Sequence, residues 1–175
     1  MKYQFSYQDH YYPFTYTTHT RIITRCVLLN EKNQVALIHV VDDDEFGHRD
    51  CYETPGGGKK KNETLHQSVK RETLEETGYQ SSIIKYLGYV TDYYNLIHRK
   101  NHIHYYLLRC GKFVKQHLED YEKDTFKDIK FYDIDDAISL MKKVDDDGVG
   151  HLIKQRELPI LELAKEYINE HPINK

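Results

Sequence analysis

The stretch from Pro55 to Tyr79 constrains this chain more than any other. It runs Pro55-Gly56-Gly57-Gly58-Lys59-Lys60-Lys61-Asn62-Glu63, then Thr64 to Lys70, then Arg71-Glu72-Thr73-Leu74-Glu75-Glu76-Thr77-Gly78-Tyr79. The punctuation predicts a glycine loop followed by a helix. Asn62 or Thr64 caps the start, and Thr64 with Gln67 has capping-box spacing. Leu65, Val69 and Leu74 supply apolar positions, and Gly78 ends the helix. At about 3.6 residues per turn, Glu72 falls beside Glu75 and Glu76 on one face. Like charges on adjacent turns repel by roughly 0.2–0.5 kcal/mol per exposed pair. A hard cation removes that penalty, and Mg²⁺ takes carboxylate oxygens while sharing its shell with substrate phosphates. Arg71 lies next to Glu72 and four residues before Glu75, where its fork can orient a carboxylate. The loop adds backbone N–H groups, a positive helix end and three lysines, with Lys59 and Lys60 as phosphate-binding candidates. A solvated helix with a charged face would explain the glutamates alone, but not the loop, the arginine and the glutamates together.

These residues resemble the Nudix box: Gly57, five residues, Glu63, seven residues, Arg71-Glu72, an aliphatic slot, one residue, Glu75-Glu76, one residue, Gly78 and a closing apolar slot. Thr73 departs from the aliphatic slot and Tyr79 closes the box with an aromatic; both lie on its packing side. The resemblance is specific over the box and rests elsewhere on element order. It implies an α/β (α+β) fold with a Nudix-like mixed β-sheet sandwiched between helices. It also implies a metal-dependent hydrolase that splits the diphosphate linkage of a nucleoside diphosphate joined to a further moiety X. Glu72, Glu75, Glu76 and the Gly56 carbonyl are then the metal ligands, with Mg²⁺ as the ion and Mn²⁺ as its substitute. Arg71 orients the carboxylates and Glu63 assists from the helix entrance. The box does not fix the general base, which is either a box glutamate or a carboxylate on the later loop, Glu119 or Glu122, with Glu122 preferred.

Hydrolysis of nucleoside triphosphates of the housecleaning type is the first reading of X. A dinucleoside polyphosphate or a nucleotide sugar is the alternative substrate. A Nudix regulator that binds nucleotides without cleaving them is the alternative of another class, but such chains commonly lose a box glutamate and this one keeps all four. A proline shortly after the box accompanies ADP-ribose hydrolases in the family, and here none occurs between Pro55 and Pro159. Tyr93 and Tyr94 lie where some dinucleoside polyphosphate hydrolases carry a tyrosine. With 16 tyrosines in the chain, that presence decides less than the missing proline.

At 175 residues the chain is sized for one domain with a real core, here read as an aromatic-rich extension over residues 1–18 and a Nudix domain over 19–175. A net charge of −3 argues against a nucleic-acid partner. Asp42-Asp43-Asp44 and Asp145-Asp146-Asp147 read as solvated loops. Cys26, Cys51 and Cys110 form no paired motif and read as reduced, mostly buried thiols. No leader and no membrane-length apolar run is apparent, so a soluble cytoplasmic protein without a membrane partner is expected.

Alternation predicts strands at Tyr3–Tyr7, Arg21–Asn30, Val35–Val41, Asp50–Thr54, Ile83–Val90, His102–Cys110 and Ile129–Asp133. Asp42–Arg49, Asn95–Asn101 and Lys115–Asp124 read as loops. Helices are expected at Ile134–Lys143 and at Glu157–Asn169, with Pro159 in the first turn of the latter. Arg21 and Arg25 fall on one face of their strand and are phosphate-clamp candidates. His19, His102 and His104 read as structural. The aromatic density of the first eighteen residues exceeds that of a solvated tail, so they are expected to be ordered, on their own sheet or across a homodimer interface.

Overall fold

The computed structural model describes residues 3–144 and 148–171; Asp145-Asp146-Asp147 lies outside them. Strand β1 (Tyr3–Tyr7) is followed by β2 (His19–Leu29), β3 (Val35–Asp44), β4 (Gly47–Glu53) and the short β5 (Gly56–Gly58). Helix α1 (Leu65–Thr77) carries the box glutamates. The long β6 (Tyr79–Tyr94) and β7 (Arg99–Phe113) come next, then α2 (Asp120–Thr125), β8 (Phe126–Tyr132), α3 (Ile134–Lys142) and α4 (Gly148–Glu170). The sheet order is β1-β6-β7-β2-β3-β4, with β5 added to β2 and β8 to β3. It is mixed, because β2 pairs in parallel with β7 while β6 and β7 are antiparallel. The expected sheet between helices is what the chain forms.

Two apolar layers hold it. On one side Leu65 and Val69 of α1 pack on Cys26, Leu28, Ala36, Tyr106 and Leu108. On the other, α3 and α4 bury Met141, Leu152, Ile153, Ile160 and Leu161 against β2, β6 and β7. Each fully buried side chain of this size contributes about 1.5–3 kcal/mol. That sum explains the largest departure from the sequence reading. Helix α4 begins well before Glu157, so Pro159 lies inside it rather than in its first turn. Losing one intrahelical hydrogen bond costs about 3 kcal/mol, less than the burial gained by Val149, Leu152 and Ile153 upstream of the proline.

Three loop expectations are corrected for related reasons. Asp42–Arg49 is the tip of a hairpin, because β3 and β4 set Asp42 opposite Arg49 and Asp43 opposite His48, and each pair meets at hydrogen-bond distance. Asn95–Ile97 forms a 3-10 turn and β7 already starts at Arg99. Within Lys115–Asp124, Glu119 and Glu122 form a capping box that opens α2; two acids at cap and third position look like a charged loop in the sequence.

The aromatic N-terminal segment is ordered on its own sheet: β1 pairs in parallel with β6, and Gly88 allows the approach, since a Cβ there would stand 1.9 Å from the Tyr3 carbonyl oxygen. Asp9, buried, accepts from the backbone N–H groups of Tyr11, Tyr12 and Asn95. Among the described residues no helix is long and apolar enough to cross a membrane.

Candidate active site

Local sequence sets the helix that carries the acids. Thr64 caps α1 and Gln67 completes its capping box, so the N-cap is Thr64 rather than Asn62; Gly78, in the left-handed conformation, closes the other end. The side that α1 turns to the sheet is partly polar. Ser68 meets Thr24 of β2 at 2.9 Å, while Thr73 donates to the Val69 carbonyl and contacts the Cys26 sulfur at 3.3 Å. Thr73, the departure from the aliphatic slot, is thus fully buried and hydrogen-bonded.

The glycine loop is drawn against β2 by the pairs Ile23–Gly58, Thr24–Gly57 and Arg25–Gly56. Gly56 has φ +149°, and a Cβ there would lie 2.2 Å from the Thr24 carbonyl oxygen. A Cβ on Gly57 would lie 2.7 Å from Glu72 Oε2. The glycines therefore make room for a carboxylate beside the backbone.

Arg71 is the hub. Its Nε and Nη2 bond both oxygens of Glu63 at 3.0 and 2.6 Å, its Nη1 bonds Glu72 at 2.8 Å and Glu75 at 2.7 Å, and Nη2 also reaches the Gly58 carbonyl. The arginine, with the Lys60 backbone N–H, draws the Glu63 carboxyl down to about 2. Glu76 is the contrasting case. It is 3 % exposed and accepts one hydrogen bond, from the Gly56 N–H at 2.6 Å. Burial pushes its carboxyl well above the ordinary range; Arg25 opposes the shift, while Glu72 and Glu122 add to it. Burial likewise raises Glu72, with Arg71 opposing and Glu75 and Glu122 adding. Glu122, buried on α2, therefore stands close enough to both to be felt. Its own oxygens bond the Glu119 N–H and the Tyr121 hydroxyl.

Among the described residues no group of three or more His, Cys, Asp or Glu side chains converges in metal-holding geometry. Arg71 instead holds one oxygen each of Glu72 and Glu75. The donor chemistry still fits a hard cation. Glu72 Oε2 and Glu76 Oε1 accept no hydrogen bond among the described residues, and the repulsion among Glu72, Glu76 and Glu122 is what a divalent ion would relieve.

Arg21 and Arg25 of β2, Arg99 of β7 and Arg156 of α4 line a cleft of about 260 Å³ together with Gly56 and Glu76. The two β2 arginines share that face, as the strand period requires, but their states differ. Arg25 is buried in ion pairs with Glu53 and, at 2.8 Å, Glu157. The expected phosphate clamp thus meets a guanidinium already neutralised, and Arg25 instead joins the loop to α4. Arg21 is exposed, and its side chain forms no ion pair or hydrogen bond among the described residues. Lys59 turns its ammonium to the Lys60 carbonyl, and Lys60 stands 3.8 Å from Glu75, so both lie outside the cleft lining. His102 and His104 bond Thr91 and Tyr86, consistent with structural roles. Of the two tyrosines past the box, Tyr94 lines the cleft and Tyr93 does not.

Residues that local reading passes over complete the floor. Glu157 accepts from the Thr54 N–H at 2.7 Å, and Arg156 reaches Glu53, Asp92 and the Tyr94 hydroxyl. Asn101 bonds Asp92 at 2.7 Å. The adjacent opposite charges Arg156-Glu157 on an otherwise apolar helix face were the available signal.

The family model for the NUDIX domain matches residues 19–153. This chain belongs to the Nudix family. Solved structures similar to it include a NUDIX hydrolase from Nitrosomonas europaea, at 14% identity and TM-score 0.59, covering 71% of this chain and 79% of that one. The E. coli ORF135 protein is similar at 15% identity and TM-score 0.58, covering 89% of this chain and 96% of that one. A MutT NUDIX hydrolase from Burkholderia pseudomallei is similar at 19% identity and TM-score 0.54, covering 67% and 85%. At these identities the Nudix likeness of the structures is one of fold. No curated protein matches the sequence. Arg156 and Glu157 lie beyond the matched region, as do β1 and Asp9.

Proposed function

We propose that this Nudix protein is a divalent-metal-dependent hydrolase that cleaves the diphosphate linkage of a nucleoside diphosphate joined to a moiety X. Nucleoside triphosphates are the first substrate class, and dinucleoside polyphosphates or nucleotide sugars the alternative. The observation that carries this reading is Glu76, a carboxylate in the cleft wall that is bonded to the glycine loop and raised by burial, with Glu72 and Glu122 adding to the shift. Glu72, Glu75 and Glu76, with the Gly56 carbonyl, would hold Mg²⁺ or Mn²⁺. Such an ion supplies Lewis acidity toward phosphoryl oxygens and charge neutralisation in the transition state. Arg71 fixes Glu72 and Glu75 and ties Glu63 and the Gly58 carbonyl to the same point, which limits reorganisation during the reaction. Glu122 is the general base in this reading. It is buried beside Glu72 and Glu76, and its helical position fixes the carboxylate.

A panel of nucleoside triphosphates (one with an oxidised purine), dinucleoside polyphosphates and nucleotide sugars, assayed with Mg²⁺ and with EDTA, tests the reading. At least one class is hydrolysed only with metal. Glu75→Gln or Glu76→Gln lowers kcat by about 10²-fold or more, since a charged group is lost where transition-state charge builds. Full turnover by Glu76→Gln sinks the assignment, and saturable nucleotide binding without cleavage of any panel member establishes the regulator instead.

A further inference from the structure

The arginines along the cleft are not all paired. Arg25 is ion-paired with Glu53 and Glu157, and Arg156 with Glu53, Asp92 and Glu157. Arg49, at the rim, pairs with Asp42 and lies within 3.9 Å of Asp44. Two guanidiniums are left over. The side chains of Arg21 and Arg99 form no ion pair or hydrogen bond among the described residues, although each lines the cleft. The Arg99 side chain lies over the Tyr94 ring at 4.9 Å, with its Nε buried and without a partner. Burial, with Arg21 and Arg156 nearby, lowers its pKa; Tyr94 and Asp92 oppose the shift. A buried guanidinium nitrogen without an acceptor carries a desolvation cost that an anion would remove.

Their positions form a track. Arg21 is packed against Gly58, where a Cβ would stand 2.7 Å from its Nη2, and the Gly58 carbonyl is itself held by Arg71. Arg21 is thus the nearer cation to the box carboxylates. Arg99 lies farther out, because β7 pairs it with His19, six residues along β2 from Arg25 and Gly56. At about 3.3 Å per residue that is roughly 20 Å of strand between backbones, shortened by the reach of the side chain. The cleft also carries Asp44 and Glu45; among the described residues neither pairs with Arg21 or Arg99, and the ion pair of Asp44 is with Arg49.

We propose that Arg21 and Arg99 form an anion track leading away from the box carboxylates, which selects substrates whose moiety X is itself anionic. X is then a phosphoryl chain or a carboxylate-bearing group, and a neutral sugar in that position leaves both guanidiniums unpaired. This rests on the hydrolase reading above and narrows its substrate class. Arg99 is a specificity-determining residue in this assignment, and the flat Tyr94 ring beneath holds its fork in place.

Two measurements test it, and the first needs no turnover. Inorganic phosphate is titrated into the metal-free protein in EDTA, following the ¹⁵N–¹H Nε resonances of arginine. Saturable shifts at Arg21 and Arg99 are expected, with the Arg21 curve weakened in Arg99→Gln and the Arg99 curve weakened in Arg21→Gln. No saturable shift in the parent, or curves for the remaining arginine that neither single variant changes, overturns the track. The second compares UTP, UDP-glucuronate and UDP-glucose, and likewise ATP and ADP-glucose, by kcat/KM with Mg²⁺. The ratio of the anionic-X to the neutral-X member falls by about tenfold in Arg99→Gln, the worth of one charge-assisted contact. UTP and UDP-glucuronate separate the phosphoryl from the carboxylate source. A ratio that Arg99→Gln leaves unchanged refutes the selectivity. If no compound is hydrolysed, the hydrolase reading fails while the phosphate titration still decides the track.

Discussion

Replacing Glu157 by Gln removes one negative charge from the floor of the cleft while keeping an oxygen to accept from the Thr54 N–H. Glu157 is fully buried, 2.8 Å from Arg25 Nε and 3.5 Å from Arg156 Nε. Its Oε1 lacks hydrogen-bond geometry to either, so the contact is chiefly Coulombic. At an effective dielectric of about 20, a unit pair at that shorter distance attracts by roughly 6 kcal/mol, before the cost of taking both ions out of water is subtracted. Breaking a buried pair by removing one partner leaves the other uncompensated, and the expected loss is about 3–5 kcal/mol. For a chain of this length that lowers Tm by roughly 10 °C. Thermal unfolding followed by circular dichroism, at neutral pH in EDTA, reads the shift. Combining the change with Arg25→Met closes a double-mutant cycle, in which the two losses sum to more than the double variant shows by on the order of 1–3 kcal/mol. A Tm within about 2 °C of the parent for Glu157→Gln, or strict additivity in the cycle, would refute the view that this ion pair ties the glycine loop to α4.

Glu76 gives a pH signature. Its carboxyl is raised by burial, with Arg25 opposing and Glu72 and Glu122 adding, above a reference of 4.5. The folded chain therefore holds this proton more tightly, and the stabilisation is full below about 4.5 and lost as pH rises through the folded pKa. In EDTA, Glu76→Gln should melt higher than the parent at neutral pH, with the gap closing toward pH 4.5; a constant gap contradicts the burial argument. Deleting residues 1–16 uncovers the β6 edge at Gly88 and strips buried Asn95 of its acceptors, Asp9 for the backbone N–H and the Asp9 and Tyr12 carbonyls for the side-chain amide. Loss of on the order of 3 kcal/mol and a tendency to associate follow, and an equally stable monomer by light scattering and denaturant melts would show that the segment is dispensable. At Thr73, Val keeps the shape but loses the bond to the Val69 carbonyl and changes stability by less than about 1.5 kcal/mol, whereas Leu overpacks a fully buried site and costs about 1–3 kcal/mol. A Leu variant as stable as the parent would show a looser seam between α1 and β2.

The chain alone determined the elements whose signals are local. Thr64, Gln67 and Gly78 bound α1, and helical spacing puts Arg71 within reach of Glu72 and Glu75, because both are set within one turn. Alternation marks Tyr3–Tyr7 as a strand, and a two-residue period puts Arg21 and Arg25 on one face. Tertiary structure decided what those residues meet. Glu157 lies 103 residues from the Thr54 N–H it accepts, and Arg156 lies 62 residues from Tyr94. No local period encodes such pairs, which depend on how α4 crosses the sheet. The same applies to Arg25, whose sequence position fits a phosphate clamp until α4 supplies a buried carboxylate, and to Pro159, which a buried face carries through a helix that propensity would break there. Spacing along a chain fixes neighbours within a turn or a strand; burial and charge balance, which are properties of the packed whole, fix the rest.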